Sequence, residues 1–278
     1  MSNLTVHAAY ESSVRDLAAL LTRAFSNYIR RGIVMDGVLL SRMIAADHID
    51  LSLSQVVLQG ELPVGLALVA RRGCTSRVAA MGIIPEAQGQ RIGTWLLNQV
   101  IEQARARSDR MLTLEVIEQN TYGVRLYEAA GMKPIRRLYG FLGAGLAGEA
   151  APLESVDPYE VARRMTALSA SDLPWQCSGE TLATQGAPNV GFRLDDAYAL
   201  ITNPAADTIT IRGLVVAPGS QRRGQATRLV AALLAAHPGK TWGVPAYCPE
   251  EYGEIFVRTG FSYDTINQFQ MVLRLQEA

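Results

Sequence analysis

The residues best suited to chemistry lie in a polar loop that joins an apolar run to an amphipathic segment. The loop follows Ile83 and Ile84 and contains Gln88, Gly89, Gln90, Arg91, Ile92, Gly93 and Thr94. Apolar residues then recur with the spacing of one helix face, at Leu96, Leu97, Val100, Ile101 and Ala104. The first amides of a helix have no intrahelical acceptor and lie at the positive end of its dipole, so a diphosphate can bind in this loop, although a tight strand-to-helix turn without a ligand has the same pattern.

A second strand-to-helix unit follows the first. Residues 112–116 alternate between apolar and polar side chains, as in a half-buried strand, and Glu115 falls on the polar side. Asn120 then precedes a short helix that contains Tyr127, and Gly131 stands where a helix-ending glycine is expected. The two units are therefore predicted to lie side by side.

The two units resemble the GCN5-related N-acetyltransferase (GNAT) family. The family's pyrophosphate motif is Gln or Arg, two residues, Gly, one residue, then Gly or Ala. It is matched here by Gln88 and Gly93, with Arg91 in place of the middle Gly. The second motif is matched by Leu114-Glu115-Val116, Asn120, Leu126-Tyr127 and Gly131-Met132. Together the motifs cover residues 78–141.

The resemblance implies an α/β fold with a mixed α+β sheet, in which splayed strands bind acetyl-CoA as a co-substrate without a metal. The residues expected to contact the cofactor are Ile83, Ile84, the seven loop residues from Gln88 to Thr94, Asn120 and Tyr127. Tyr127 would protonate the departing thiolate, and an amide near Ile83 or Ile84 would polarise the thioester carbonyl. Glu115 is a candidate base, acting through water, although a solvent-facing glutamate fits equally well.

Arg91 is the departure from the family's motif. A non-glycine residue fits this position if its φ is negative, and its guanidinium could then reach a phosphate. Replacement of the glycine by Arg91 is thus tolerable on the condition that φ is negative there.

Composition excludes some classes of protein. The 278 residues carry 26 basic and 26 acidic side chains, which argues against a broad charged surface for nucleic acid or anionic lipid. Cys74, Cys177 and Cys248 are widely spaced and form no metal-ligand pattern, so we interpret them as reduced thiols of a cytoplasmic protein. Neither an export signal nor an apolar run long enough for a membrane is recognised, so no membrane partner is expected.

The region before the loop is predicted to form two helices, at residues 14–25 and 38–46, and a hairpin at residues 55–70. In the family, the first two helices cover the acceptor side. Tyr28, Arg30 and Arg31 are therefore candidates for acceptor recognition, although a solvated helix end also explains either arginine.

Two further segments bear on the organisation of the chain. Residues 136–141 are expected to close the first sheet. Residues 143–152 are rich in small side chains without an apolar period, which predicts a linker.

The loop pattern recurs in the C-terminal half. Gln88 and Gln221 differ by 133 positions, and Gly93 and Ala226 differ by the same number, which indicates an internal duplication. The second loop has Gly224 in the middle position. We therefore predict two tandem GNAT-like domains, each a splayed mixed sheet flanked by helices, at residues 1–145 and 150–278.

The second copy diverges at its chemical groups. Aligning the two halves places Pro249 opposite Asn120 and Phe256 opposite Tyr127. Since proline has no N–H and phenylalanine has no proton to give, this copy is expected to be degenerate. We expect the first half alone to bind CoA.

The function predicted is direct transfer of an acetyl group from acetyl-CoA to a primary amine of a small molecule or peptide, within a ternary complex. A non-catalytic acyl-CoA-binding regulatory or interaction protein is the alternative from another class. A chain in which the C-terminal copy is the active one also remains open. The duplicated halves are expected to form a pseudo-dimeric monomer, or the chain a homodimer.

Overall fold

The computed structural model describes residues 4–27, 34–169 and 172–276. Contacts along the backbone divide the chain into two compact units, one formed by Met1–Ile135 with Phe269–Ala278 and the other by Arg136–Gln268. The acceptor candidates Tyr28, Arg30 and Arg31 lie outside the described residues.

Among its described residues, the first unit contains a mixed sheet and four α-helices. Its elements are β1 (Leu4–Ala8), α1 (Val14–Ala24), α2 (Gly37–Asp47), β2 (Gln55–Gln59), β3 (Leu62–Arg72), β4 (Thr75–Ile83), α3 (Ile92–Ala106), β5 (Met111–Ile117) and α4 (Thr121–Ala129). Strands β1 to β4 pair antiparallel in chain order, and β4 pairs parallel with β5. Side-chain caps fix the starts of α1 and α2, because Ser13 accepts from the Asp16 amide and Asp36 from the Leu39 amide.

The parallel pair β4–β5 separates along its length. In the described part of the chain, its pairing runs from Thr75↔Met111 to Val78↔Leu114, whereas β4 continues to Ile83 and β5 to Ile117. The ends of the two strands therefore leave a wedge-shaped gap, as the family resemblance implied.

The second unit repeats this order of elements. It contains most of β6 (Lys133–Ala144), β7 (Glu154–Val156), α5 (Pro158–Leu168), α6 (Gly179–Leu182), β8 (Val190–Leu194), β9 (Ala197–Ile201), β10 (Thr208–Val216), α7 (Gln225–Ala236), β11 (Thr241–Pro249) and α8 (Gly253–Val257). Strands β7 to β10 pair antiparallel in order, and β10 pairs parallel with β11 from Thr208↔Thr241 to Thr210↔Gly243. The predicted tandem arrangement of mixed sheets flanked by helices is confirmed.

The last strand of each half of the duplicated sequence pairs beside a strand of the other half. Strand β6 pairs antiparallel with β11, from Thr241↔Ala144 to Pro249↔Leu138, so the prediction that residues 136–141 close the first sheet is wrong. The strand that lies beside β5 is instead the end of β12 (Ser262–Arg274). Just after this strand, the Leu275 amide donates to the Arg110 carbonyl at 2.9 Å. Both strands offer the same kind of backbone edge, which is why their sequences do not decide between the two partners.

Only part of the predicted linker lies outside helices and strands. Gly143 and Ala144 complete β6, and the residues that follow reach β7 at Glu154 without a helix or strand. Gly148 packs so closely against Ala231 and Leu234 of α7 that a β-carbon there would collide with them. This segment is therefore fixed on the second unit. The functional division at residues 145 and 150 stays a prediction, while the compact units divide at Ile135 and Gln268.

We predict that a chain ending at Gln268 loses the stability of its first unit. The deleted segment contains Met271, which is fully buried beside β5, and removing such a side chain alone costs about 2–5 kcal/mol. Hydrogen exchange at the β5 amides should accelerate strongly. A chain ending at Gln276 serves as the control, and unchanged protection of β5 in the shorter chain would contradict the exchange of strands.

Candidate functional site

The polar loop of the first unit has two residues in the left-handed backbone region. After a short 3₁₀ turn at Pro85–Ala87, Gly89 has φ 77° and Arg91 has φ 63°. The condition set from the sequence, a negative φ at Arg91, is therefore not met. A left-handed non-glycine residue costs about 1–2 kcal/mol, so the loop keeps this shape at a cost in stability.

The side chain of Gln88 braces the loop. Its Nε2 donates to the Ile83 carbonyl at 2.9 Å, and its own amide donates to the Pro85 carbonyl at 3.2 Å. Gln88 thus ties the loop to the end of β4 and holds the neighbouring amides in place.

Three amides at the start of α3 point out of the helix. The first helical bond runs from the Trp95 amide to the Arg91 carbonyl at 3.0 Å, and no side chain caps the helix. The amides of Ile92, Gly93 and Thr94 precede that bond and have no acceptor within the helix. These amides lie where the sequence predicts an anion-binding loop, with Gly89 and Gln90 directly before them, and anion binding there stays a prediction.

The two isoleucines before the loop differ in their backbone bonding. The Ile84 amide donates to the Val64 carbonyl of β3 at 2.9 Å, so it is engaged in the sheet. Because successive residues of a strand point their amides to opposite edges, the Ile83 and Met81 amides point toward the gap beside β5. The backbone donors available to a ligand in the gap are therefore those of Ile83 and Met81.

Asn120 and Tyr127 lie on the helix that follows β5. The Asn120 Oδ1 accepts from the Gly123 amide at 3.0 Å and caps α4, which leaves its Nδ2 as the donor for a ligand. Tyr127 is 9% exposed and lies one turn from Gly123 on the buried face of α4. Both residues are therefore held by the helix cap and by packing.

Glu115 belongs to a buried ion cluster. Its Oε2 accepts from Nε of Arg77 at 2.7 Å, and Nη1 of Arg77 donates to Asp47 at 3.0 Å. The side chains of Arg77 and Glu115 are 4% and 3% exposed. Burial would lower the pKa of Arg77, but the carboxylates of Glu115 and Asp47 raise it, so the guanidinium stays charged. The sequence missed this cluster, which links α2, β4 and β5.

The second unit has the same loop backbone with different residues. Arg222 has φ 59° and Gly224 has φ 76°, at the positions that correspond to Gly89 and Arg91. The Gln221 Nε2 donates to the Val216 carbonyl at 3.0 Å, as Gln88 does to Ile83. The first bond of α7 runs from the Arg228 amide to the Gly224 carbonyl at 2.9 Å, again without a side-chain cap. The duplication therefore extends to the backbone of the candidate site.

A cavity of about 730 Å³ lies between the separated ends of β10 and β11 in the second unit. Its walls include the second loop, Tyr247 and Phe256. The sequence did not predict this space, because an open cavity depends on how side chains pack.

The thiol of Cys248 in the cavity wall is not activated. Burial and the nearby Glu251 raise the pKa of Cys248 to about 12, so its thiol stays protonated and is a poor nucleophile. None of the three cysteines forms a disulfide.

A family model described as "Acetyltransferase (GNAT) family" matches residues 28–132. Among solved structures, the chain is similar to a GCN5-related N-acetyltransferase from Sphaerobacter thermophilus, with 14% identity and a TM-score of 0.72 over 99% of this chain and 96% of that one. It is also similar to a tandem GNAT protein from the clavulanic acid biosynthesis pathway, with 17% identity and a TM-score of 0.64 over 99% and 100% of the two chains.

A GCN5-related N-acetyltransferase from Kribbella flavida gives 16% identity and a TM-score of 0.63, over 98% of this chain and 72% of that one. At these identities the structural similarity establishes the fold. No curated protein sequence matches the chain. No helix among the described residues is long and apolar enough to cross a membrane.

We predict that Gly224→Ala lowers the free energy of unfolding by about 1–2 kcal/mol, because a side chain at φ 76° is strained. Gly219→Ala is the matched control in the same loop, since a β-carbon there meets nothing within 4 Å and its φ is not positive. Chemical denaturation measures both variants. Equal stabilities would show that the left-handed position carries no strain.

Glu115→Gln should lower the free energy of unfolding by about 3 kcal/mol, because it removes a carboxylate from a buried arginine. Glu102→Gln provides the comparison, since Glu102 pairs with Arg105 on the surface and such pairs contribute less than about 1 kcal/mol. A loss for Glu115→Gln no larger than that of the surface variant would refute a structural role for the cluster.

Proposed function

We propose that this chain, whose residues 28–132 match the family model of GNAT acetyltransferases, transfers an acetyl group from acetyl-CoA to a primary amine. The transfer is direct and occurs within a ternary complex of enzyme, cofactor and acceptor. The observation that carries the proposal is the set of unpaired amides at the start of α3, placed at the open end of the gap between β4 and β5.

The amides of Ile92, Gly93 and Thr94 bind the diphosphate of acetyl-CoA. Three N–H groups at the positive end of a helix bind an anion without a charged side chain, and Gln88 holds them against β4. The guanidinium of Arg91 adds a donor at the same point. This arrangement directs the rest of the cofactor into the gap along β4.

The pantetheine arm of acetyl-CoA accepts the hydrogen bonds that the edge of β4 leaves unmade. The amides of Met81 and Ile83 point into the gap and donate to the arm or to the thioester carbonyl, which gains negative charge as the amine attacks. The Asn120 Nδ2 donates to the arm from the opposite side, because its Oδ1 already caps α4.

Tyr127 donates the proton that the leaving thiolate needs. As the C–S bond breaks, the electron pair moves to sulfur and the phenol proton follows it, so that free CoA departs as a thiol. The limited exposure of Tyr127 keeps bulk water from the sulfur.

The amine loses its proton to water or to a base that the geometry does not single out. Glu115 is less suited to that role than the sequence indicated, because its carboxylate lies against Arg77 and stabilises that cation. A variant at Glu115 is expected to act on turnover through the stability of the sheet.

The acceptor approaches from the side of α1 and α2. A groove of about 1090 Å³ there is lined by residues that include Arg15, Arg23 and Arg42. The end of α1 packs on the end of β4, because a β-carbon on Gly82 would lie 2.9 Å from the Ala24 side chain. The groove therefore begins next to the strand that binds the cofactor, and a small-molecule or peptide amine fits its open shape.

Tyr127→Phe is the decisive variant. We predict that it lowers the rate of amine-dependent thiol release from acetyl-CoA about 10²-fold or more, because it removes the general acid, and leaves the affinity for acetyl-CoA nearly unchanged. The assay uses a panel of amines, peptides and aminoglycosides, with free thiol as the readout.

Tyr122→Phe is the matched control, since Tyr122 lies on the same helix and is 74% exposed. Equal rates for wild type and Tyr127→Phe would contradict the assignment of the acid. Tight binding of acetyl-CoA with no amine raising thiol release above hydrolysis would favour the alternative of a non-catalytic acyl-CoA-binding protein.

A further inference from the structure

Both copies have a β-bulge at the same place in the strand that leads to the loop. In the first unit, the β3–β4 register shifts between Leu68↔Ala80 and Val69↔Val78, which leaves Ala79 as the extra residue. In the second, the β9–β10 register shifts between Ile211 and Gly213, which leaves Arg212. Ala79 and Arg212 are 133 positions apart, the same separation as the two loops. The duplicated site therefore has a methyl group in one copy and a guanidinium in the other.

Arg212 lines the cavity of about 730 Å³ in the second unit. Its Nε donates to the Gln185 side chain at 3.1 Å, and its guanidinium carbon lies 5.6 Å from the centre of the Tyr247 ring. Within the described part of the chain, no carboxylate lies close enough to form an ion pair with it. The two terminal nitrogens of this half-buried guanidinium are therefore available as donors to a ligand in the cavity.

The acidic residues of the cavity have other partners. Glu251 pairs with Arg136 at 2.9 Å, and Glu254 pairs with Arg258 at 2.6 Å. The loop at the other end of the cavity adds Arg222 and the outward-pointing amides of α7. The cavity therefore presents positive charge at two separate places, at the bulge and at the loop.

The separation of these two places suits an extended ligand. Arg212 lies four residues before the end of β10 at Val216, which is about 13 Å at about 3.3 Å per residue. The loop begins just beyond that point. A cofactor with its diphosphate at the loop and its arm along β10 would bring its acyl end toward Arg212. The volume lies within the usual range for small-molecule sites, about 300–1,000 Å³.

We propose that the second unit binds a CoA thioester whose acyl group ends in a carboxylate, with the diphosphate on the loop at residues 221–225 and the carboxylate on Arg212. The inference rests on the proposed role of the first loop, since the second loop has the same backbone. It revises the expectation that the first half alone binds CoA. Phe256 replaces the phenol of the first copy, so the second unit binds this ligand without transferring its acyl group.

The first unit provides an internal reference for this preference. Ala79 offers no charge at the bulge, so the first site should not distinguish a charged from a neutral acyl end. The expected difference in ligand preference between the two sites therefore depends on one pair of equivalent residues, Ala79 and Arg212. Both sites can be measured within a single molecule.

The test compares succinyl-CoA with butyryl-CoA, which have acyl chains of equal carbon number and differ in the terminal carboxylate. Hydrogen exchange of the full chain, at a series of ligand concentrations, reports binding separately at residues 208–228 and at residues 75–95. In the second unit, protection should reach its midpoint at a concentration at least about tenfold lower for succinyl-CoA, as expected for a charge-assisted hydrogen bond. In the first unit the two midpoints should agree within about twofold.

Arg212→Met should abolish the preference in the second unit, and Arg212→Lys should retain part of it, because the lysine keeps the charge without the two-pronged geometry. Arg222→Ala is the control from the same cavity, expected to weaken both ligands alike and to leave their ratio unchanged. Because each variant is judged by a ratio of two ligands, a modest loss of stability does not affect the conclusion.

Three results would overturn the inference: no protection of the second unit by either ligand, equal midpoints in the wild type, or a preference that survives Arg212→Met. Failure of the proposed function gives a different result, in which thiol release does not depend on Tyr127 while the preference of the second unit remains.

Discussion

The separation of two parallel strands is the constraint on which the candidate site depends. Every backbone N–H that leaves a sheet ladder needs another acceptor, and beyond Val78 the edge of β4 has lost β5 as its neighbour. The amides of Met81 and Ile83 therefore face an open gap. A ligand with an amide-containing arm satisfies that edge as a strand would, which explains why the cofactor is expected to lie along β4.

The gap and the loop act together because both continue from the same strand. β4 ends at Ile83, the side chain of Gln88 ties the loop back to that residue, and α3 starts immediately afterwards. The free edge of the strand and the free end of the helix are thus adjacent, with no side chain required between them. In the proposed function, cofactor binding is therefore a property of the backbone, and the side chains adjust the chemistry.

Comparison of the two copies shows how far the side chains can differ on one backbone. Gly89 and Arg91 in the first loop correspond to Arg222 and Gly224 in the second, and all four residues are left-handed. Each loop therefore has glycine at one left-handed position and arginine at the other. At the chemical positions the copies differ more sharply, with Tyr127 opposite Phe256 and Ala79 opposite Arg212. One fold thus supports a proposed transfer site and a proposed binding site within the same chain.

The exchange of the last strands makes the two halves of the sequence interdependent. Residues 1–145 made alone would lack the strand that completes β5, and residues 150–278 would lack the strand beside β11. The tandem arrangement is therefore part of how each sheet is built. This also explains why the compact units do not coincide with the halves of the duplicated sequence.

Local patterns in the sequence determined the class of fold, the duplication, the loop before α3 and the positions of Asn120 and Tyr127, because periodicity, capping and turn preferences act over a few neighbouring residues. Tertiary structure alone decided four features: the pairing of Glu115 with Arg77, the left-handed conformation of Arg91, the exchange of β6 and β12, and the open cavity beside Arg212. Each of these depends on which distant segments meet. A glutamate on the polar side of a strand looks the same in sequence whether it faces water or a buried arginine.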